Sequence, residues 1–132
     1  MNTRRAFVLI VALAGLLVVA NPAVAEEISV AQAVICQAVV DRAPVGAGDV
    51  IPAGTERAFC FTHIVGAQAE TEVTHNWYYQ GNLKASVVLP VRNADWRTWS
   101  SKTLLPEWRG EWMVEILSKE GTPLESIIFF VQ

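Results

Sequence analysis

The chain has 132 residues, with 10 lysines or arginines against 13 aspartates or glutamates and a formal net charge of −3. This length supports one domain with a single hydrophobic core. The acidic balance disfavours binding to phosphate backbones, so nucleic acid and anionic lipid are poor candidate partners.

The first 25 residues have the three parts of a secretory signal peptide. Arg4 and Arg5 form a short basic region, an apolar run covers residues 6–20, and Ala-Val-Ala at 23–25 is the small-residue pattern that signal peptidases cut after. The apolar run is shorter than the roughly 20 residues of a spanning helix. We therefore expect a signal helix over 1–25, cleavage after Ala25, a periplasmic or secreted protein, and no stable membrane anchor after cleavage. An uncleaved anchor is the alternative.

After a short entry segment, residues 26–32, the chain alternates between strand-forming and turn-forming stretches without an amphipathic helical period. The alternation is clearest in residues 73–80, where Val73, His75, Trp77 and Tyr79 share one face. The long connection over 41–56 is rich in glycine and proline, and we expect no regular structure in it. The predicted strands are 33–40, 57–65, 73–80, 83–91, 96–102, 110–118 and 123–131.

These strands predict an all-β domain over residues 33–132, namely a seven-stranded antiparallel sandwich of immunoglobulin-like type. A small barrel is the alternative closure of the same strands. Gly81-Asn82 is predicted to be a two-residue hairpin turn. Pro90 removes a backbone donor and so places strand 83–91 at a sheet edge. Strand 123–131 is apolar on both faces, and we expect both faces to be covered.

The two histidines are a weak candidate for a metal site. If strands 57–65 and 73–80 form a hairpin, His63 lies opposite His75, and neighbouring imidazoles can hold zinc or copper with Glu70 or Glu72 as a third ligand. The alternative is a structural histidine pair. Because no third ligand is fixed by the sequence, we predict no metal and no cofactor.

The same hairpin places the aromatic residues Phe59, Phe61 and Trp77 in the core, since each buried ring contributes about 2–3 kcal/mol. Cys60 then faces outward. A disulfide between Cys36 and Cys60 is chemically available in an oxidising compartment, and it requires both to face outward. Two separate buried thiols, or the opposite orientation of strand 57–65, are the alternatives.

Four of the five tryptophans fall within residues 96–116. Three of them lie near predicted strand ends, where exposed rings with a polar neighbour can bind sugars. Tryptophans that seal the ends of the sandwich are the alternative, and we expect the remaining two, Trp77 and Trp112, in the core. The ligand-binding candidates are Trp96, Trp99, Trp108 and Arg97.

The sequence predicts no catalytic residues. Glu111 and Glu115, four positions apart on one strand, are about 13 Å apart by strand rise, which exceeds the separation used in glycosidic hydrolysis. Ser100 and Ser101 lack a nucleophile-elbow motif.

Six stretches together carry a family resemblance: AVIC at 33–36, VDRAPVG at 40–46, FCFT at 59–62, HNWYY at 75–79, WRTWSSK at 96–102 and GEWMVEI at 110–116. In these stretches the chain resembles a bacterial family known as domain of unknown function family 2914, over about residues 30–132. The resemblance implies an uncharacterised envelope domain with no assigned reaction, and it carries over no catalytic residue.

We therefore expect an exported, non-catalytic binding or accessory module of the bacterial cell envelope, with an envelope protein or a glycan as its partner. The first alternative is a carbohydrate-binding module that uses the surface tryptophans. The second is a small metal-binding protein or enzyme centred on His63 and His75.

Overall fold

The computed structural model describes Gly15 and residues 28–132, so the predicted signal helix and its cleavage site lie outside the described residues. Within residues 28–132 every regular element is a β-strand, and no described helix is long and apolar enough to cross a membrane. The strands are β1 Ser29–Cys36, β2 Ala38–Val40, β3 Ala43–Val45, β4 Val50–Ile51, β5 Arg57–Val65, β6 Thr71–Tyr79, β7 Asn82–Val91, β8 Asp95–Thr103, β9 Gly110–Ser118 and β10 Pro123–Val131.

The strands form two main sheets and one small hairpin. A three-stranded sheet has the order β1-β5-β8, a five-stranded sheet has the order β4-β10-β9-β6-β7, and β2 pairs with β3. All pairs are antiparallel except β4 with β10. The all-β class is confirmed, but the count of seven strands is wrong. The predicted strand 33–40 is interrupted at Gln37, and parts of the connection 41–56 form β3 and β4.

The two sheets share one hydrophobic core between their facing sides. Trp77 and Trp112 of the five-stranded sheet are both 0 % exposed and belong to one buried cluster with Ile35 and Cys60 of the three-stranded sheet. The prediction that these two tryptophans lie in the core is confirmed, because alternation along β6 and β9 places them on the buried face.

The predicted hairpin between strands 57–65 and 73–80 is wrong. β5 pairs with β1 and β8, whereas β6 pairs with β7 and β9, so the chain passes from one sheet to the other between them. Consequently His63 does not lie opposite His75. Cys60 faces the shared core, and the outer face of β5 carries Phe61. Phe61 is nevertheless buried, in register with Val34 on β1 and Trp99 on β8.

Two hairpins turn through pairs of residues with positive φ, the geometry of type I′ turns. The β6–β7 turn uses Gln80 and Gly81 (φ 47° and 81°), one position earlier than predicted. The β2–β3 turn uses Asp41 and Arg42 (φ 50° and 59°). Aspartate is one of the residues enriched in this conformation, whereas arginine is not.

The placement of β7 at a sheet edge is confirmed, as Pro90 indicated. The expectation that strand 123–131 is covered on both faces is wrong. β10 lies between β4 and β9, yet its outer face is open, with Ile128 52 % and Phe130 48 % exposed. Hydrogen bonding to a strand on either side does not cover the faces of a strand, and the second sheet covers only the inner one.

Candidate functional site

A cleft of about 410 Å³ lies along β8, one of the two edge strands of the three-stranded sheet. This volume falls in the range of about 300–1,000 Å³ that is typical of small-ligand sites. The cleft combines two indole rings with two guanidinium groups, one carboxylate and one amide. Its lining residues are Arg42, Pro90, Asn93, Asp95, Trp96, Arg97, Thr98 and Trp99.

Trp99 provides an aromatic surface that is supported from behind. Phe61 is its cross-strand partner on β5, and the two rings are stacked with centroids 6.4 Å apart and planes inclined by 17°. Phe61 is buried and Trp99 is half-buried. Because Phe61 contacts one face of the indole, the side toward the cleft is the one available to a ligand.

Asp95, at the start of β8, lies beside this aromatic surface and contacts one imidazole and one guanidinium group. Nε2 of His63 is hydrogen-bonded to Oδ1 of Asp95, and Nη1 of Arg97 lies 3.8 Å from the same oxygen. The hydrogen bond from His63 lowers the pKa of Asp95, with a smaller contribution from the charge of Arg97. The carboxylate therefore stays ionised at neutral pH. Arg97, whose side chain is 45 % exposed, keeps donors free for a ligand.

Arg42 comes to the cleft from a different part of the chain. It is the second residue of the β2–β3 turn and has a left-handed backbone conformation. Such a conformation costs an L-residue with a long side chain about 1–2 kcal/mol. Backbone strain of this kind is concentrated at functional sites, and here the strained residue is the one that contributes a guanidinium to the cleft.

The three tryptophans proposed as a binding surface are not brought together. Trp96 and Trp99 line the cleft with Arg97, but Trp108 is not among its lining residues. Trp108 packs instead on Trp112, with ring centroids 5.7 Å apart, and on Tyr79, at 6.3 Å. Its ring also lies near two ammonium groups, Nζ of Lys84 at 5.4 Å and Nζ of Lys102 at 5.0 Å. Trp108 therefore closes the end of the core, as the alternative interpretation held.

His75 belongs to a hydrogen-bonded chain inside the core. Its Nδ1 lies 2.7 Å from Oγ of Ser100, and its Nε2 lies 3.3 Å from Oγ1 of Thr62. The indole Nε1 of Trp77 donates to the same serine oxygen at 3.0 Å. Burial lowers the pKa of His75 to about 4. This network is not among the predicted features, although polar residues at inward positions of otherwise apolar strands are a signal for it.

The structure does not support a shared metal site at His63 and His75. The two residues lie in different sheets, and each ring is hydrogen-bonded to a different partner. Across residues 28–132 no group of three or more histidine, cysteine, aspartate or glutamate side chains is placed to hold a metal ion.

Cys36 and Cys60 are free, buried thiols, which is the alternative to the possible disulfide. Cys60 pairs with Ile35 across the β1–β5 ladder, whereas Cys36 pairs with Phe59. Since successive side chains on a strand point to opposite faces, the two thiols project from opposite sides of the sheet. Burial raises the pKa of both groups.

A second cleft, of about 450 Å³, lies between the end of β8 and the C-terminus. Its charged lining residues are Glu56 and Arg109, and it includes no aromatic ring. The cleft along β8 is therefore the better candidate, because it brings aromatic and charged groups together.

Residues 70–131, just under half of the chain, match the family described as Protein of unknown function (DUF2914). The match confirms the family resemblance for the segment from β6 to β10 and includes most of the cleft, whereas Arg42, Phe61 and His63 precede it. No curated protein matches the sequence.

Proposed function

We propose that this chain, whose residues 70–131 belong to the DUF2914 family, is a non-catalytic binding module exported to the bacterial cell envelope, and that the cleft along β8 is its ligand site. The observation that carries the proposal is that Arg97 and Trp99, on the outer face of β8, line one open cleft with Arg42 of the β2–β3 turn. Trp96 borders the same cleft from the other face of β8, where it packs against the core. Aromatic surfaces with a few oriented polar groups are typical of recognition sites.

We also assign the fold to the immunoglobulin-like sandwiches, and the strand order supports this assignment. The sheets β1-β5-β8 and β10-β9-β6-β7, with β4 added parallel to β10, correspond to the two layers of such a domain. The core tryptophan on the third long strand, Trp77, shares a cluster with Cys60 on the second long strand, as in that fold. Domains of this kind often bind partners through loops and strand edges on a rigid scaffold.

The state of the buried histidine supports a non-catalytic role. Ser100 and His75 have the short hydroxyl–imidazole contact of a nucleophile and its base. However, His75 is 0 % and Ser100 is 5 % exposed, and their polar atoms are occupied by Trp77 and Thr62. A substrate therefore has no access to this pair, and its role is to connect the two sheets.

Export is supported by the leader-like sequence of residues 1–25, with its basic, apolar and small-residue regions. Cleavage after Ala25 removes Arg4 and Arg5, so that 8 basic residues remain against 13 acidic ones and the formal charge becomes −5. An acidic domain of this kind is kept away from anionic membrane surfaces.

The test is quantitative capture of envelope components by the immobilised protein. Wild type is compared with the double variant Arg97→Gln/Trp99→Phe, which keeps an aromatic ring stacked on Phe61, and with Lys119→Gln as a control at the exposed β9–β10 turn. We expect wild type and Lys119→Gln to retain the same glycan or protein, and the double variant to lose it. Equal retention by all three proteins contradicts the proposal.

A further inference from the structure

We infer that the ligand of the cleft is an acidic saccharide, that is, a sugar ring bearing an isolated carboxylate. The inference rests on the proposed function and names the chemical class that the cleft selects. It combines two features of the same cleft: an aromatic face backed by a second ring, and an excess of guanidinium groups over carboxylates.

The aromatic face selects a ring-shaped partner. Trp99 is stacked on Phe61, with a centroid distance of 6.4 Å, so its orientation is fixed before a ligand arrives. The face of an indole carries partial negative charge, and it attracts the weakly positive C–H groups on the apolar side of a sugar ring. Because both rings are held by packing in the sheet, little side-chain entropy is lost on binding.

The charges select an anion on that ring. Arg42 and Arg97 both line the cleft, whereas Asp95 is the only carboxylate among its lining residues. Asp95 lies 3.8 Å from Nη1 of Arg97 and offsets part of the positive charge, so that two guanidinium groups against one carboxylate leave an excess of positive charge in the cleft. The guanidinium fork of arginine matches a carboxylate in a bidentate geometry, which a hydroxyl group does not reproduce.

The net negative charge of the chain favours a ligand with few and widely spaced negative charges. The whole chain is acidic, with a formal charge of −3. A densely charged polyanion meets this repulsion along its length, whereas a single carboxylate in the cleft is screened from distant acidic groups, since the Debye length is about 8 Å at physiological ionic strength. The cleft therefore favours a saccharide with isolated carboxylates over nucleic acids and polyphosphates.

The test compares two saccharides that differ only in charge: the methyl glycoside of galacturonic acid, which carries a single carboxylate, and its methyl ester. Binding is measured by isothermal titration and by ¹⁵N–¹H spectra of the full chain, at low and at physiological salt. We expect the acid to bind at least about tenfold more tightly than the ester, since a charge-assisted hydrogen bond is about twice as strong as a neutral one. Binding of the acid weakens with added salt, and binding of the ester does not.

Variants assign the selectivity to the two guanidinium groups. Arg97→Gln keeps a polar side chain, and Arg42→Asn keeps a residue that tolerates positive φ. Each is expected to reduce the preference for the acid over the ester about tenfold, to near equality. Lys119→Gln removes a positive charge outside the cleft and is expected to retain the preference.

The outcomes separate this inference from the proposed function. Equal affinity for acid and ester, with both lost in Trp99→Ala, overturns the inference and leaves the binding cleft in place. If acetate shifts the same resonances as the acidic saccharide and binds with the same affinity, the requirement for a sugar ring is overturned. If neither saccharide binds, the inference is overturned. The proposed function fails only if the double variant Arg97→Gln/Trp99→Phe still captures the envelope component.

Discussion

The hydroxyl group of Ser100 on β8 lies 2.7 Å from Nδ1 of His75 on β6, and this contact joins the two sheets across the core. Its direction follows from the groups at the two ends of the chain of hydrogen bonds. The indole of Trp77 can only donate, to Ser100, and the carbonyl of Thr98 can only accept, from Thr62. Ser100 therefore donates to Nδ1 of His75, and the neutral imidazole donates from Nε2 to Thr62.

Replacement of Ser100 by alanine is expected to destabilise the fold by about 2–4 kcal/mol, because it leaves the buried indole N–H of Trp77 and Nδ1 of His75 without partners. Urea denaturation followed by tryptophan fluorescence measures the change. The matched control is Ser101→Ala, which removes an exposed contact with Arg57 and is expected to cost less than about 1 kcal/mol. Equal losses in the two variants contradict the role given to the network.

Stability is expected to fall as the pH decreases from about 6.5 to about 4. Burial lowers the pKa of His75 in the folded state to about 4, below the ordinary value of 6.5. The unfolded chain therefore binds a proton over this interval and the folded chain does not, so acid favours unfolding. The shift corresponds to at most about 3 kcal/mol. The free energy of unfolding at a series of pH values provides the measurement.

Two histidine variants assign this pH dependence to a residue. His63→Gln, which changes the hydrogen bond to Asp95, is expected to retain the loss of stability between pH 6.5 and 4. His75→Gln is expected to be less stable at neutral pH but to lack that part of the dependence. If the loss of stability between pH 6.5 and 4 disappears in His63→Gln and persists in His75→Gln, the assignment to His75 is wrong.

Sequence patterns identified the elements of this fold better than they identified its pairings. Alternation placed Trp77 and Trp112 in the core because burial acts residue by residue along a strand. The same signals do not distinguish a hairpin from a crossing between sheets, since the turn after Val65 is polar and short enough for either. That single ambiguity produced the wrong neighbours for His63 and the wrong face for Cys60.

The candidate site was partly predictable for the same reason. Arg97 and Trp99 are two positions apart and share the outer face of β8, so their proximity depends on one strand. Arg42 reaches the same cleft from the β2–β3 turn. Because arginine is not typical of a left-handed backbone conformation, this turn could not be predicted from the residue type. Trp108 was misassigned because proximity to a strand end does not say whether a ring faces solvent or a neighbouring ring.

The strained turn is expected to show a trade-off between stability and binding. Arg42→Gly relieves a left-handed conformation and is expected to raise the free energy of unfolding by about 0.5–1 kcal/mol while it weakens ligand binding. Gln80→Gly, in the β6–β7 turn, is the control, because Gln80 also has positive φ but does not line the cleft. It is expected to stabilise the fold without changing binding. Unchanged binding in Arg42→Gly removes Arg42 from the site.

Both cysteines are expected to remain reduced and unreactive in the folded protein, even under oxidising conditions. Burial raises the pKa of Cys36 and Cys60, which suppresses the reactive thiolate form. Alkylation followed by mass spectrometry is expected to label neither thiol in the native state and both in urea. A cross-linked peptide that contains both cysteines contradicts the free-thiol structure.

The most direct test of the binding cleft follows the indole N–H resonances of the five tryptophans during titration with the component that the wild-type protein retains in the capture experiment. The resonances are assigned by single tryptophan-to-phenylalanine substitutions. We predict that Trp96 and Trp99 shift together along a saturable curve, while the core tryptophans Trp77 and Trp112 stay in place. Saturable binding that moves the resonance of Trp108 and leaves those of Trp96 and Trp99 unchanged would contradict the assignment of the ligand site to β8.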